Sequence, residues 1–380
     1  MVRRLSGDLR HELSRLYAVG CRGSGRLRSQ SDGDAGDALG PLANLDEKII
    51  GERVGFWQDW MQHSSADDPW WAPMSFRESI NTIKRPISMV AGWFDIFLPW
   101  QMLDFKALCE SGCETRITVG PWRHTDMGLG RTGMHDAIDW FKQHLLGEEV
   151  SPKPKRVKLY VMGADEWRYF DEWPPSESVI ERWYLQPQHK LLDRIPLDSD
   201  PDQYRYNPGD PTPSIGGPTL ESTPFSVDNA ELEARHDVMT YSSDPLTQDR
   251  DLIGALVAEM FVSSSARSAD FFVRLCDVDA RGVSRNVCDG LQRIHIDSPG
   301  IPQGMRVNLW PTAYRVARGH RLRVQISSGA FPRYARNPGG IEPMAQATEL
   351  HTATQLVYHS PTYPSAISLP FVSNAAARRS

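Results

Sequence analysis

The sequence lacks the features that mark disulfide-rich, membrane-spanning and nucleic-acid-binding proteins. Only five of its 380 residues are cysteine, an odd and scattered set, so we expect reduced thiols and neither a metal nor a cofactor site. No run of about eighteen apolar residues occurs, which argues against a transmembrane helix and a membrane partner. The formal net charge of -6 provides no broad positive field, so we expect no nucleic-acid partner.

The N-terminal region has little apolar sequence. Residues 1–21 contain no continuous apolar core of the kind that a signal peptide needs, which favours a cytoplasmic location. Residues 22–40 are mainly Gly, Ser, Arg and Asp and offer almost nothing to bury. We therefore predict that residues 1–40 are disordered or irregular, and the remaining length favours two domains.

Residues 41–150 show the pattern of an α/β domain. Arg85–Trp93 and Arg116–Val119 are short apolar runs typical of buried strands, and Pro99 begins a helical pattern between them. Strand, helix and strand in this order predict a parallel crossover unit. Met134–Leu146 predicts a second amphipathic helix, and Leu42–Trp71 carries a further helical pattern rich in tryptophan.

After a proline-marked linker at 150–154, residues 151–380 change to short β-type runs. Several runs alternate apolar and polar residues, as strands with one buried face do. The series predicts an antiparallel β-sandwich, in which the Pro-, Gly- and Asp-rich residues 187–235 and 330–350 form long loops. The predicted strands are 157–161, 182–185, 238–241, 255–263, 271–278, 291–296, 305–309 and 321–327.

One ionisable residue follows each of the two predicted parallel strands, Asp95 after the first and His124 after the second. Because the carboxyl ends of parallel strands form the ligand-binding edge of an α/β sheet, we expect both side chains at one rim, close enough to hydrogen-bond. Acid before histidine is also the chain order of α/β-hydrolases. Two structural alternatives remain: Asp95 caps the helix near Pro99, and His124 forms only a local hydrogen bond in a turn.

The segments around this pair resemble a known hydrolase family. Gly92-Trp-Phe-Asp-Ile-Phe97 is similar to the acid motif of the cocaine-esterase and Xaa-Pro dipeptidyl-peptidase family, and Val119-Gly-Pro-Trp-Arg-His124 is similar to its histidine motif. Other segments resemble landmarks of its C-terminal jelly-roll domain: Val161–Arg168, Trp173–Pro175, Val262–Ser265, Asp277–Asp279 and Phe331–Arg333. The resemblance implies an α/β plus all-β fold, with a partial α/β-hydrolase domain and a cap remnant in residues 41–150 and a jelly-roll β-sandwich in residues 151–380.

The resemblance also implies a serine-type acyl hydrolase that acts on a small ester or peptide substrate, with removal of dipeptides ending in proline in some members. On this basis Asp95 orients and stabilises the imidazole, and His124 acts as general base and then as general acid. The tryptophan-rich residues 57–71 would correspond to the helical cap that shapes the acyl pocket, although packing alone also explains such a stripe.

The family's nucleophile has no recognisable counterpart in this sequence. Its serine lies in a Gly-x-Ser-x-Gly turn between a strand and a helix, and no such motif precedes Asp95. Gly23-Ser24-Gly25 lies in polar sequence, and Gly282-Val-Ser284-Arg-Asn286 falls in a predicted hairpin after the histidine. We therefore expect the chain alone to be inactive or nearly so, with the serine supplied by a separate N-terminal fragment or by sequence upstream.

A non-catalytic role is the alternative. The jelly-roll domain would then be a binding or oligomerisation module, and the chain would form a homo-oligomer or bind a carbohydrate or a protein surface. Hydrolysis by the completed enzyme distinguishes the two.

Overall fold

A computed structural model describes residues 42–65, 67–148, 154–220 and 224–372. These residues form a small α/β unit followed by a larger unit built almost wholly of β-strands, which is the predicted fold class. The prediction of an irregular segment at residues 1–40 lies outside the described residues. None of the helices within the described ranges is long and apolar enough to cross a lipid bilayer.

The tryptophan-rich segment forms two short helices where the sequence predicts one continuous amphipathic pattern. These are α1 (Leu45–Ile50) and α2 (Gly55–Gln62). Gly51 ends α1 with φ of 93°, a left-handed conformation that glycine adopts readily, and so breaks the pattern. Two 3₁₀ turns, Pro69–Met74 and Arg77–Thr82, then lead into the first sheet.

The small unit is a four-stranded sheet in the described part of the chain, in the order β1-β2-β3-β4. The first three strands are parallel, and β4 is antiparallel to β3. Helices connect the parallel strands, as such crossovers require. The elements are β1 (Ile87–Gly92), α3 (Leu98–Glu110), β2 (Thr115–Gly120), α4 (Met127–Leu146), β3 (Val157–Val161) and β4 (Glu166–Phe170).

Strand β3 lies in a different sheet from the one predicted for it. Val157–Val161 was predicted to be the first strand of the sandwich, but it pairs in parallel with β2 and extends the small sheet. Its apolar residues Val157, Leu159 and Val161 are fully buried in the same core as Ile117 of β2. A strand delivered by the crossover helix α4 has its pairing partner beside it, which the alternating pattern alone could not reveal.

The two helices of the small unit lie on opposite faces of its sheet, because alternate residues of β2 point to opposite sides. Ile117 shares a buried cluster with Phe105 of α3. Arg116 and Thr118 contact α4 instead: Thr118 Oγ1 donates to Asp136 Oδ2 at 2.7 Å, and the Arg116 guanidinium lies over the Trp140 ring. The sheet is therefore covered on both faces near β2.

The apolar stripe of α4 faces solvent. Trp140 is its buried residue in the described structure, whereas four apolar side chains spaced three and four apart are exposed: Met134, Ile138, Phe141 and Leu145. The inward face instead carries Asp136, whose carboxylate and carbonyl oxygens accept hydrogen bonds from Thr118 and Arg116 of β2. A large apolar helix face left uncovered is a feature of interaction surfaces.

The larger unit has thirteen strands in the described ranges, joined by hydrogen bonds into one sheet. The antiparallel hairpin β11–β12 lies at one end of the path and turns at Gly282, which has φ of 90°. The strands are β5 (Ser178–Gln186), β6 (Lys190–Leu192), β7 (Asp202–Tyr206), β8 (Met239–Ser242), β9 (Arg250–Gly254), β10 (Val257–Ser264), β11 (Ser268–Val278), β12 (Ser284–His295), β13 (Gln303–Asn308), β14 (Thr312–Val316), β15 (Arg321–Ser327), β16 (Ala353–Tyr358) and β17 (Ala366–Val372).

Alternating side chains build the core of this sandwich. Leu322, Val324 and Ile326 of β15 are buried, as the alternation in the sequence predicts. The predicted long loop 187–235 is more structured than expected, because it contains β6, β7 and the short helix α5 (Ala230–Glu233). Residues 330–350 have no helix or long strand, in agreement with the prediction.

A buried ion-pair network joins the two units. Asp251 of β9 is fully buried and accepts from Arg168 Nη1 of β4 and from Arg315 Nε of β14, both at 2.6 Å. Burial raises the pKa of Asp251, but the hydrogen bonds from the two arginines outweigh it and hold that pKa below its usual value. The small sheet and the sandwich are therefore joined by a buried ion pair. Removing one of its partners would destabilise the fold, because it would leave the opposite charge buried without a counterion.

Candidate active site

The loops that follow β1 and β2 are bound to each other through their backbones. Trp93 N–H donates to the Gly120 carbonyl at 2.9 Å, and Phe94 N–H donates to the Trp122 carbonyl at 3.0 Å. Trp93 also donates its ring N–H to the Tyr160 carbonyl of β3 at 2.7 Å. These bonds fix one loop relative to the other at the carboxyl edge of the sheet.

Glycines make room for the tryptophan on which this contact depends. A methyl group at Gly92 would overlap the backbone oxygen of Trp122, and one at Gly120 or Gly128 would overlap its ring. Trp122 also packs against Trp167 of β4, with ring centroids 5.8 Å apart. The two glycines of the sequence motifs therefore allow the close approach of the loops.

Asp95 is buried directly after β1, with only 4% of its side chain exposed. Its Oδ1 accepts from the Phe97 N–H at 3.0 Å, just before α3 begins at Leu98. The alternative role of Asp95, as a hydrogen-bond acceptor at the start of the following helix, is therefore filled by Oδ1 alone. The other oxygen, Oδ2, points to the loop after β2.

His124 receives that second oxygen. Its Nδ1 lies 3.1 Å from Asp95 Oδ2, and its ring packs edge-on to Phe97 with centroids 5.0 Å apart. The His124 side chain is 44% exposed, so the ring is accessible from solvent. Within the described residues Nε2 forms no hydrogen bond, which leaves it to contact a substrate or a nucleophile.

The neighbouring Arg123 and Asp126 hold the histidine loop in place. Asp126 accepts from the Arg123 backbone N–H at 2.9 Å and from its Nη2 at 2.8 Å. The side-chain hydrogen bond from Arg123 lowers the pKa of Asp126, so its carboxylate remains charged near neutral pH. Asp126 immediately precedes α4, and the turn carrying His124 is thus tied to the start of that helix.

This geometry matches what a histidine general base requires. A carboxylate on Nδ1 fixes the tautomer with its proton on that nitrogen and leaves Nε2 as the acceptor. The structure thus brings the two predicted site residues together at one rim. Their catalytic roles remain a prediction.

Comparison with known proteins places the chain in a family. The profile of the X-Pro dipeptidyl-peptidase C-terminal non-catalytic domain matches residues 149–368, more than half of the chain. This chain belongs to the X-Pro dipeptidyl-peptidase and cocaine-esterase family. The profile of the X-Pro dipeptidyl-peptidase (S15 family) matches residues 26–126, the region that contains both members of the pair.

One protein of similar sequence and two of similar fold carry the names of hydrolases. Cocaine esterase from Rhodococcus sp. is 31% identical over 373 residues, which cover 87% of this chain and 64% of that enzyme. An aminopeptidase from a marine sediment Thaumarchaeota archaeon has a TM-score of 0.80 at 24% identity, covering 91% of this chain and 64% of the other. An α-amino acid ester hydrolase has a TM-score of 0.79 at 23% identity, covering 90% and 65%. The chain thus spans less than two thirds of the length of each of these three proteins.

Of the two near-matches to a nucleophile motif, only the one around Ser284 lies within the described residues. Ser284 is fully buried at the start of β12, where its Oγ donates to Glu233 Oε1 at 2.6 Å. The hairpin predicted around it is confirmed. Gly23-Ser24-Gly25 lies outside the described residues.

The cysteines have no visible role at this site. Cys109, Cys113, Cys276 and Cys288 are free thiols, and burial raises the pKa of Cys276 to about 12. Cys21 lies outside the described residues. Among the described residues, no group of three or more His, Cys, Asp and Glu side chains is arranged to hold a metal ion.

The predicted cap residues contribute to a cleft of about 510 Å³ against the sandwich. Trp60 and Trp71 form one wall, and Leu291, Tyr334 and Met344 line the opposite side. Neither Asp95 nor His124 lines this cleft. Its role as an acyl pocket remains a prediction.

Proposed function

We propose that this chain contributes the acid and the histidine of a serine acyl hydrolase that cleaves ester or amide bonds, including the amide bond whose cleavage removes a dipeptide ending in proline from a peptide. Asp95 would orient the imidazole, and His124 Nε2 would take the proton from a serine and return it to the leaving group. The observation that carries the proposal is the 3.1 Å contact between Asp95 Oδ2 and an accessible His124 at the carboxyl edge of parallel strands. Family membership supports the reaction type.

We further propose that the nucleophilic serine comes from polypeptide outside these 380 residues. The sequence holds no Gly-x-Ser-x-Gly turn, and a serine must be held within a fraction of an ångström to be catalytic. The pair alone lacks both a nucleophile and an oxyanion hole, so the isolated chain is expected to be inactive.

The uncovered surfaces of the small unit support such a complement. In the described structure β1 pairs only with β2, and its other edge is open. The exposed apolar stripe of α4, defined by Met134, Ile138, Phe141 and Leu145, lies on the same unit. A polypeptide that adds strands beside β1 and covers this stripe would pair the open strand edge and bury the exposed apolar side chains.

Complementation tests the proposal. The purified chain is mixed with the polypeptide encoded immediately upstream, and hydrolysis of an aryl ester and of an Xaa-Pro dipeptidyl amide is followed. We expect turnover only from the mixture, and loss of it when the partner's serine or His124 is replaced by alanine. Turnover that is unchanged in His124→Ala would contradict the assignment of the pair.

Non-catalytic association is the second candidate, and the apolar stripe of α4 favours it. Self-association would also bury this face. Light scattering over a range of concentrations measures the oligomeric state, and a stable oligomer with no hydrolysis in the mixture would favour this candidate.

A further inference from the structure

A phenylalanine of the larger unit packs against both loops of the Asp95–His124 pair. The ring of Phe225 stacks on Phe94 with centroids 4.0 Å apart and an interplanar angle of 25°. The guanidinium carbon of Arg123 lies 5.9 Å from the centre of the same ring. Phe94 directly precedes Asp95, and Arg123 directly precedes His124. One aromatic side chain therefore contacts the neighbour of each member of the pair.

Phe225 is held from the sandwich side by a buried asparagine. Asn286 of β12 is 2% exposed, and its Nδ2 donates to the Phe225 carbonyl at 2.7 Å. Its Oδ1 accepts from the Val227 N–H at 3.0 Å. The Gly217 N–H donates to the same Phe225 carbonyl at 2.7 Å. The two bonds with Asn286 fix the backbone that follows the Phe225 ring to a strand of the core, and the Gly217 bond ties it to a neighbouring loop.

The ring itself belongs to the packing of the small unit. Phe225 contacts the buried cluster that contains Phe94 and the apolar residues of β2 and β3. Phe94 is almost fully buried, so the position of its ring, and of the peptide that leads into Asp95, depends on what packs against it. Arg123 is also held by Asp126. Phe225 adds a contact from the sandwich to both side chains.

We infer that Phe225 is a positioning residue, which sets the separation between Asp95 and His124 by packing against Phe94 and Arg123. A hydrogen-bonded pair keeps its function only within about 0.5 Å of its productive geometry, and supporting residues supply that precision. The sandwich thus acts on the chemistry through one side chain. The inference rests on the proposed function of the pair, but its test does not require hydrolysis.

The test measures the nucleophilicity of His124 in the full chain. Diethyl pyrocarbonate acylates neutral imidazole, and peptide mass spectrometry gives the rate at each histidine at about pH 8, where histidine is mostly neutral. The hydrogen bond from Nδ1 to Asp95 makes the opposite nitrogen a better nucleophile. His189 and His351, both exposed and distant in sequence, provide reference rates within the same molecule.

We expect Phe225→Ala to slow acylation of His124 by about tenfold, at the lower end of the roughly 10- to 100-fold effects that loss of a supporting group has at metal-binding histidines. The rates at His189 and His351 should not change. Asn286→Ala removes the backbone clamp and should slow His124 similarly, whereas Phe225→Leu keeps an apolar contact and should slow it less. Circular dichroism of each variant checks that the fold is retained, and either alanine variant, if folded, suffices to judge the inference.

A double-mutant cycle separates positioning from general loosening. In the Asp95→Asn background the hydrogen bond is already weakened, so Phe225→Ala should produce little further slowing. The inference is overturned if a folded Phe225→Ala or Asn286→Ala variant leaves the rate at His124 unchanged, or if Phe225→Ala slows it equally in both backgrounds. Because acylation needs no serine, a failure of the complementation experiment leaves this result interpretable.

Discussion

Asp95 and His124 lie 29 residues apart in the chain, and their side chains meet at 3.1 Å. The contact exists because the loops after β1 and β2 are joined by backbone hydrogen bonds around Trp122. The buried acid and the accessible histidine differ in exposure as an orienting group and a proton acceptor should.

Replacing the acid tests its orienting role. In the complemented enzyme, Asp95→Asn should lower kcat by about 10⁴-fold, because an amide favours the wrong tautomer of His124. The matched control is Asp171→Asn, since Asp171 is a solvent-exposed carboxylate in a surface ion pair. Steady-state kinetics on an aryl ester measures both. A loss of less than about tenfold for Asp95→Asn would show that the carboxylate does not control the base.

A methyl group at Gly92 tests the close approach of the two loops. Gly92→Ala should separate the loops, because the methyl group meets the Trp122 carbonyl, a backbone atom that cannot rotate away. We expect a loss of about 1–3 kcal/mol in the free energy of unfolding and slower acylation of His124. Gly130→Ala is the control: Gly130 lies inside α4 with no described neighbour within 4 Å of an added methyl, and a gain of up to about 1 kcal/mol is expected. Urea denaturation measures both values, and equal effects of the two substitutions would contradict the proposed role of Gly92.

The ion pair between the units should make stability depend on acid pH. The pKa of Asp251 is lower in the folded chain than in the unfolded chain. Its contribution to the free energy of unfolding is therefore fully present above its pKa in the unfolded chain, about 4, and is lost as the pH falls from there through its pKa in the folded chain. At pH 7, Asp251→Asn should cost about 3–5 kcal/mol, because two arginines lose their buried partner.

The comparison for Asp251 is a more exposed pair. Glu181→Gln weakens a contact with Arg250 and should cost at most about 1 kcal/mol. Urea midpoints at pH 7 and pH 3 are measured for each variant. The difference in urea midpoint between the parent chain and Asp251→Asn should be smaller at pH 3 than at pH 7. A larger difference at pH 3 would contradict a lowered pKa of Asp251 in the folded chain.

The exposed stripe of α4 should bind the serine-bearing polypeptide. Ile138→Lys with Phe141→Lys should weaken complementation by about tenfold or more in Kd, because buried apolar anchors dominate the free energy of binding. Glu148→Lys, just after the helix, also adds positive charge and should have little effect. Titration of activity against partner concentration gives each Kd. Equal Kd values for the two variants would exclude the stripe from the interface.

Local sequence patterns predicted the parts of the fold that short-range chemistry determines. The apolar runs of β1 and β2, the helix at Pro99 and the alternation in β15 follow from residue periodicity alone. The Asp95–His124 pair could be predicted for a similar reason, since a residue that follows each parallel strand lies at the same edge of the sheet. The strand Val157–Val161 was misplaced because its pattern fits either sheet and only long-range pairing decides between them.

Features that depend on distant contacts were not predicted. Three contacts join residues that are far apart in the chain. They are the close approach of Trp122 to Gly92, the packing of Phe225 against both loops and the ion pair of Asp251. For α4, periodicity identified the apolar stripe but not the direction in which it faces. The only available signal was the glycine at the end of each motif strand, which marks a close approach without naming the partner.

The most direct test treats the purified 380-residue chain alone with a fluorophosphonate probe and an activated aryl ester, then locates any adduct by mass spectrometry. We predict no serine adduct on this chain and no turnover from it alone, and we expect an adduct on the partner's serine, together with turnover, only after the partner polypeptide is added. An adduct on Ser24 or any other serine of the chain, together with turnover abolished by its replacement with alanine, would contradict the claim that this chain supplies only the acid and the histidine.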